Sequence, residues 1–182
     1  MWGGIYAVLF SISTIVSYEK PLENGFPESV AKSYAKYTLS SVEFQNQIVG
    51  QEIQYSLYEN KKFGPLQRGK SISITDQGGL WLGYGFIRKV GLNDLIDINF
   101  DFFPGVYIKN SEEDLGGWLM FRSGLEIEFN LNSEWTISVG YDHRSSGDIW
   151  EYNPGMETIK LSLSKRFSKL AAQPIPKVKF TP

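Results

Sequence analysis

The chain has 182 residues, a net charge of −2, no cysteine and a single histidine. These features exclude a disulfide framework, thiolate metal sites and a histidine-rich zinc centre, and they give no electrostatic case for nucleic-acid binding. A hydrophobic share of 42% is too low for a helical membrane protein, whereas 15% aromatics and 18 glycines suit an all-β chain of one domain.

Residues 1–18, MWGGIYAVLFSISTIVSY, carry no charge and run apolar from Ile5 to Val16. That length fits the hydrophobic part of a secretory signal and is short for a spanning helix. No Lys or Arg precedes it, and only Ser13 and Ser17 offer a small-residue cleavage site. A membrane anchor and a first strand are the alternatives. Residues 19–44 form an N-terminal segment. Within it FPESVAKSYAKYTL, with Pro27 and Glu28 ahead of helix-tolerant residues, reads as a short helix or as the first strand.

Over 45–167 the pattern changes to alternation with a period of two. Strands are predicted over Val49–Tyr58, Gly69–Asp76 and Gly79–Lys89, the last with Gly83 and Gly85 opposite Leu82, Tyr84 and Phe86. In IDINFDF, Asp97, Asn99 and Asp101 oppose Ile96, Ile98, Phe100 and Phe102. In LMFRSGLEIEF, Leu119, Phe121, Leu125, Ile127 and Phe129 share the odd face against Arg122, Gly124, Glu126 and Glu128. SEWTISVGYDH sets Trp135, Ile137, Val139, Tyr141 and His143 on one face. ETIKLSLSKRF does the same with Ile159, Leu161, Leu163 and Phe167. Seven strands are legible, and an eighth is expected within the first 45 residues. LNSE (131–134) and DQGG (76–79) read as tight turns, whereas 108–117 and 144–156 are long. Short turns on one rim and long loops on the other describe a transmembrane barrel. Past Phe167, residues 168–182 are rich in Pro and Lys and read as a disordered tail.

Alternation alone leaves open which face is outside, since a soluble lipid-binding barrel turns its apolar face inward. Here the polar face decides. It carries Gly, Ser, Thr and charges of both signs, so that Arg122, Lys160 and Arg166 can meet Glu126, Glu128, Asp97, Asp101 and Asp142. A narrow lumen needs small residues and paired ions; a solvated sheet face needs neither. Trp81, Tyr84, Tyr107, Trp118, Trp135, Tyr141, Trp150 and Tyr152 near strand ends suit interfacial girdles. The expected fold is therefore an all-β, eight-stranded antiparallel transmembrane β-barrel of outer-membrane type.

His143, Ser145 and Glu157 then all fall at odd, lipid-facing positions of two consecutive strands. Residues two apart on a strand share a face about 7 Å apart, and antiparallel pairing can bring Glu157 to the histidine. Nucleophile, base and orienting carboxylate make the logic of an acyl-transfer triad. A carboxylate on a lipid-facing stripe is costly unless it is paired near the interface. The bland alternative is a girdle histidine in a non-enzymatic structural or adhesive barrel.

The segment resembles the active-site region of the outer-membrane lipid A 3-O-deacylases of the PagL type, whose motif is His-x-Ser followed by Asn-x-Gly-x-Glu. This chain has His143, Ser145, Asn153, Gly155 and Glu157 at the family's spacing. The likeness reaches upstream through Leu115, Gly116 and Phe121 and covers roughly residues 95–167. It implies a carboxylic ester hydrolase of the Gram-negative outer membrane. Its substrate would be lipid A of lipopolysaccharide, and it would remove the 3-O-linked acyl chain. By the same resemblance Ser145 is the nucleophile, His143 the general base and Glu157 its orienting partner. Asn153 and the Gly147 N–H form the oxyanion hole. Phe121 orients the acyl chain, Trp150 sits in the headgroup zone, and Arg144 and Arg88 are candidates for lipid A phosphates. The family's asparagine after the serine is Ser146 here. No metal or organic cofactor is implied; outer-membrane lipids surround the barrel, and a homodimer is one assembly open to it.

Overall fold

The computed structural model describes residues 28–167. It contains strands β1 (Glu28–Val30), β2 (Tyr34–Phe44), β3 (Gln47–Phe63), β4 (Leu66–Thr75), β5 (Leu80–Gly91), β6 (Ile96–Ile108), β7 (Leu119–Asn130), β8 (Trp135–Ser145) and β9 (Met156–Arg166). No helix occurs among the described residues. Every neighbouring pair from β2 to β9 is antiparallel, and β2 also pairs with β9, so eight strands close into a barrel. Closure removes both edges, which would otherwise expose unpaired backbone groups to lipid. The three-residue β1 merely extends the sheet at the far end of the 17-residue β3.

Residues 34–44, where helix and strand were both open, form β2, so the barrel begins at Tyr34 rather than at residue 45. The reason is tertiary. Lys36, Thr38 and Ser40 are buried while Tyr37 and Leu39 are exposed, and the strand bridges β3 and β9. The expected signal over 1–18 and the tail over 168–182 lie outside the described residues.

The strands are strongly staggered. A ladder leaving β7 at Met120 passes Gly105, Gly83, Ser71, Ser56, Lys36, Ser164 and Thr136, and returns to β7 at Asn130, near its other end. Stagger of this kind tilts strands by roughly 35–45° to the barrel axis. Two long loops, 109–118 and 146–155, share one rim. The DQGG turn lies on that same loop rim, between β4 and β5, rather than opposite it. The opposite rim carries only short turns, including LNSE between β7 and β8.

The odd-numbered apolar residues of β7, β8 and β9 face outward; Ile127, Val139, Ile159 and Leu161 are all exposed. The lumen holds the charges. Arg122 donates to Glu52 at 2.8 Å and to Asp142 at 2.7 Å. Lys160 meets Glu126 at 2.9 Å, and Lys36 meets Glu126 at 2.6 Å. Two expected girdle aromatics are lumen residues instead: Trp81 and Tyr107 are buried, with Arg122 and Arg144 stacked over Trp81 at 5.0 and 5.8 Å. Guanidinium groups packed in a narrow lumen can stack on an aromatic π-face as well as pair with a shared carboxylate.

Candidate active site

The site lies on the outer wall where β8 and β9 meet the loop rim. His143 on β8 stands opposite Glu157 on β9, and its Nδ1 lies 2.9 Å from Glu157 Oε1. A carboxylate can only accept, so Nδ1 carries the proton and Nε2 is left as the ring's acceptor. On its other side His143 opposes Ser123 of β7, and Ser145 opposes Phe121. Ser145 shares the outward face of His143 but is not hydrogen-bonded to it; among the described residues the ring bonds only Glu157. Unliganded hydrolases often hold this contact open.

The loop 146–155 folds back over the histidine. Asn153 Oδ1 accepts the Ser146 N–H at 2.9 Å, and Asn153 Nδ2 donates to Asp148 Oδ1 at 2.9 Å. Gly147 and Asp148 both adopt positive φ, 62° each, which makes the tight bend that starts the loop. At Gly155, with φ 75°, a Cβ would stand 2.6 Å from His143 Cε1, so the glycine backbone presses against the imidazole. The second loop supports the first: a Cβ on Gly116 would fall 1.7 Å from the Tyr152 carbonyl oxygen, and Trp118 packs near Trp150 at 6.4 Å between ring centroids. Leu115 is fully buried beneath this junction. Phe121 stacks on Phe102 at 5.8 Å, giving the wall beside Ser145 an aromatic surface.

Of the residues expected at the site, His143, Ser145, Glu157, Asn153, Gly147, Phe121 and Trp150 gather at this corner. Arg144 does not. It is buried in the lumen, bonded to Glu52 and stacked over Tyr107 at 5.5 Å, where no lipid phosphate can reach it. Alternation forbids it the outer face, since it lies between His143 and Ser145. Ser146 is buried with its hydroxyl unpaired among the described residues.

Two neighbours went unread in the sequence. Glu43 of β2 stands directly opposite Glu157, and Ser123 opposes His143. Glu43 needed β2 to be placed first. Ser123 was visible as the one small polar residue on the odd face of β7.

Fold and site together define a small outer-membrane barrel that carries a hydrogen-bonded His–Glu pair on its lipid-facing wall. The PagL lipid A 3-O-deacylase family model matches residues 35–166, and the chain belongs to that family. Solved structures agree on the fold. The outer membrane enzyme PagL superposes with a TM-score of 0.58 at 13% identity, over 72% of this chain and 97% of that one. Neisserial surface protein A gives 0.56 at 8% identity, over 78% and 99%. A de novo designed transmembrane β-barrel gives 0.57 at 6%, over 76% and 98%. Among curated proteins none matches the sequence. Family and fold place the chain in the outer membrane of a Gram-negative cell.

Proposed function

We propose that the chain hydrolyses the 3-O-linked acyl ester of lipid A, with Ser145 as nucleophile, His143 as general base and Glu157 as its orienting carboxylate. The observation that carries this reading is the 2.9 Å His143–Glu157 hydrogen bond on the outer wall at the loop rim. Lipid A esters lie in the outer leaflet, so a hydrolase acting on them needs its reactive groups outside the barrel.

In this reaction His143 Nε2 takes the proton of Ser145 as its Oγ attacks the ester carbonyl. The tetrahedral intermediate collapses, the C–O bond to the sugar breaks, and the imidazolium returns the proton to the leaving hydroxyl. Water, deprotonated by His143, then attacks the acyl-enzyme; the bond to Ser145 Oγ breaks, the imidazolium returns the proton to Oγ, and a free 3-hydroxy fatty acid leaves. Asn153 Nδ2 has one N–H left after its bond to Asp148. That hydrogen and the Gly147 N–H are the proposed oxyanion donors, each worth on the order of 10²–10³ in rate. Phe121 flanks the acyl chain and Trp150 the headgroup. One chain suffices, because β8, β9 and their loop supply the whole triad.

The test is mass spectrometry of lipid A from a Gram-negative host expressing the chain. Wild type should remove one 3-hydroxyacyl group, and Ser145→Ala should leave lipid A intact. If wild type removes no acyl chain, or the alanine variant removes it equally well, the chain is a non-enzymatic barrel.

A further inference from the structure

The outer wall carries a second feature, away from the triad. Across β3, β4 and β5 an open apolar hollow of about 600 Å³ is lined by Tyr55, Leu57, Ile72, Leu82 and Tyr84, with Lys70 among them. Further toward the turn rim come Arg68, two residues beyond Lys70 on β4, and Arg88, four residues beyond Tyr84 on β5, diagonal neighbours on the same outward face. Glu59 is the carboxylate that meets this cluster, and it is shared: Arg68 Nε and Lys70 Nζ each reach it at 3.4 Å. Arg88 has no such relief among the described residues; its Nε is buried without a hydrogen-bond partner there. Among the described residues three cations thus face lipid with one carboxylate between them.

Depth says which lipid. The ladder through His143, Ser123, Phe102, Phe86 and Arg68 crosses four strand boundaries. At a strand spacing near 4.8 Å and a tilt near 40°, each crossing descends about 3 Å, which sets Arg68 roughly 12 Å below His143. The apolar band of such barrels is about 25 Å tall, so Arg68 and Arg88 lie at or beyond its middle, in the periplasmic half. Lys70, about 5 Å shallower on the tilted strand, reaches toward Arg68 at the shared Glu59. Lipid A phosphates sit at the loop rim, so Arg88, a candidate for them on sequence, lies too deep to meet them and takes no part in holding lipid A. Long basic side chains in this half extend toward the periplasmic headgroups.

We infer that the β3–β5 wall is a binding site for an anionic phospholipid of the periplasmic leaflet. The headgroup phosphate meets Arg88, Arg68 and Lys70, and one acyl chain rises into the hollow between Tyr55, Leu57, Ile72, Leu82 and Tyr84. The lipid's net negative charge supplies what Glu59 alone does not, whereas a zwitterionic lipid brings an ammonium that offsets it. Glu59 holds Arg68 and Lys70 in place when the lipid exchanges.

The test uses the full chain folded in detergent micelles and native mass spectrometry with phosphatidylglycerol or phosphatidylcholine of matched chains. Wild type should retain phosphatidylglycerol at least about tenfold more than phosphatidylcholine. The double variant Arg68→Gln/Arg88→Gln should bring the two to parity while Arg88→Lys keeps most of the preference. Heat-modifiable gel migration certifies that each variant is folded; should the double variant misfold, Lys70→Gln and Arg88→Gln singly must each lower the preference. Equal retention of both lipids by wild type, an unchanged preference in the folded variants, or displacement of phosphatidylglycerol by purified lipid A would overturn the site. Lipid A hydrolysis is read separately on the same variants and should stay at wild-type level. Loss of deacylation in Ser145→Ala with phosphatidylglycerol still retained keeps the two proposals distinguishable.

Discussion

Gly155 and Glu157 bracket the imidazole from the start of β9, and each tests a different part of the proposed chemistry. Gly155→Ala forces a Cβ to within 2.6 Å of His143 Cε1 and strains a backbone held at φ 75°. Displacing the ring by even part of an ångström is expected to slow lipid A deacylation on the order of 10²-fold. Heat-modifiable migration should show the barrel still folded; full activity in the folded alanine variant would mean that His143 is not the base. Glu157→Gln keeps the shape and removes the charge that stabilises an imidazolium. Its deacylation rate, followed by mass spectrometry over time, should fall by about 10³–10⁴. Glu43 adds a second carboxylate opposite Glu157, and like charges directly opposed are unfavourable in a sheet. Glu157 is relieved of this repulsion by its hydrogen bond to His143.

At the scale of elements, the barrel accommodates its largest lumen side chain by thinning the strands around it. Trp81 of β5 lies over Gly83 and Gly105; a Cβ on Gly83 would stand 2.1 Å from the indole ring, and one on Gly105 would stand 2.4 Å from the Leu82 carbonyl. Gly105→Ala is therefore expected to lower barrel stability by about 1–3 kcal/mol through overpacking. Urea unfolding in micelles measures it, and an unchanged midpoint would show that β5 and β6 can separate without loss. The sequence carried the alternation of β5 to β9 plainly, with glycines on the polar face. It left β2 ambiguous, because Tyr34–Leu39 is as tolerant of helix as of strand. Only the vacancy between β3 and β9 assigns it to the sheet.

For the whole molecule the lumen network decides stability. Glu52 is fully buried and receives both Arg122 and Arg144. Glu52→Ala leaves two guanidinium groups without their shared counter-charge, and breaking such a buried pairing costs about 3–5 kcal/mol. The variant should unfold at markedly lower urea concentration, while Glu134→Ala, on the exposed turn between β7 and β8, should not. If Glu52→Ala unfolds like wild type, water in the lumen solvates these charges and the network is not structural. The same network explains why the barrel cannot be read as a soluble one with its faces exchanged. Its charges are matched to one another across the lumen rather than to solvent.

Taken alone, the sequence determined the period of two, the outward parity of His143, Ser145 and Glu157, and the family motif, because each depends on residues close along the chain. Parity also kept Arg144 off the outer face, although its charge made it attractive as a phosphate ligand. Closure decided the rest. That Trp81 and Tyr107 fill the lumen instead of a girdle, that Glu52 meets Arg144 across the barrel, and that Glu43 stands beside Glu157 all depend on stagger and on the β2–β9 seam. A local pattern reports which face a residue takes. Only a closed, tilted sheet sets what stands across from it and how deep in the membrane it lies.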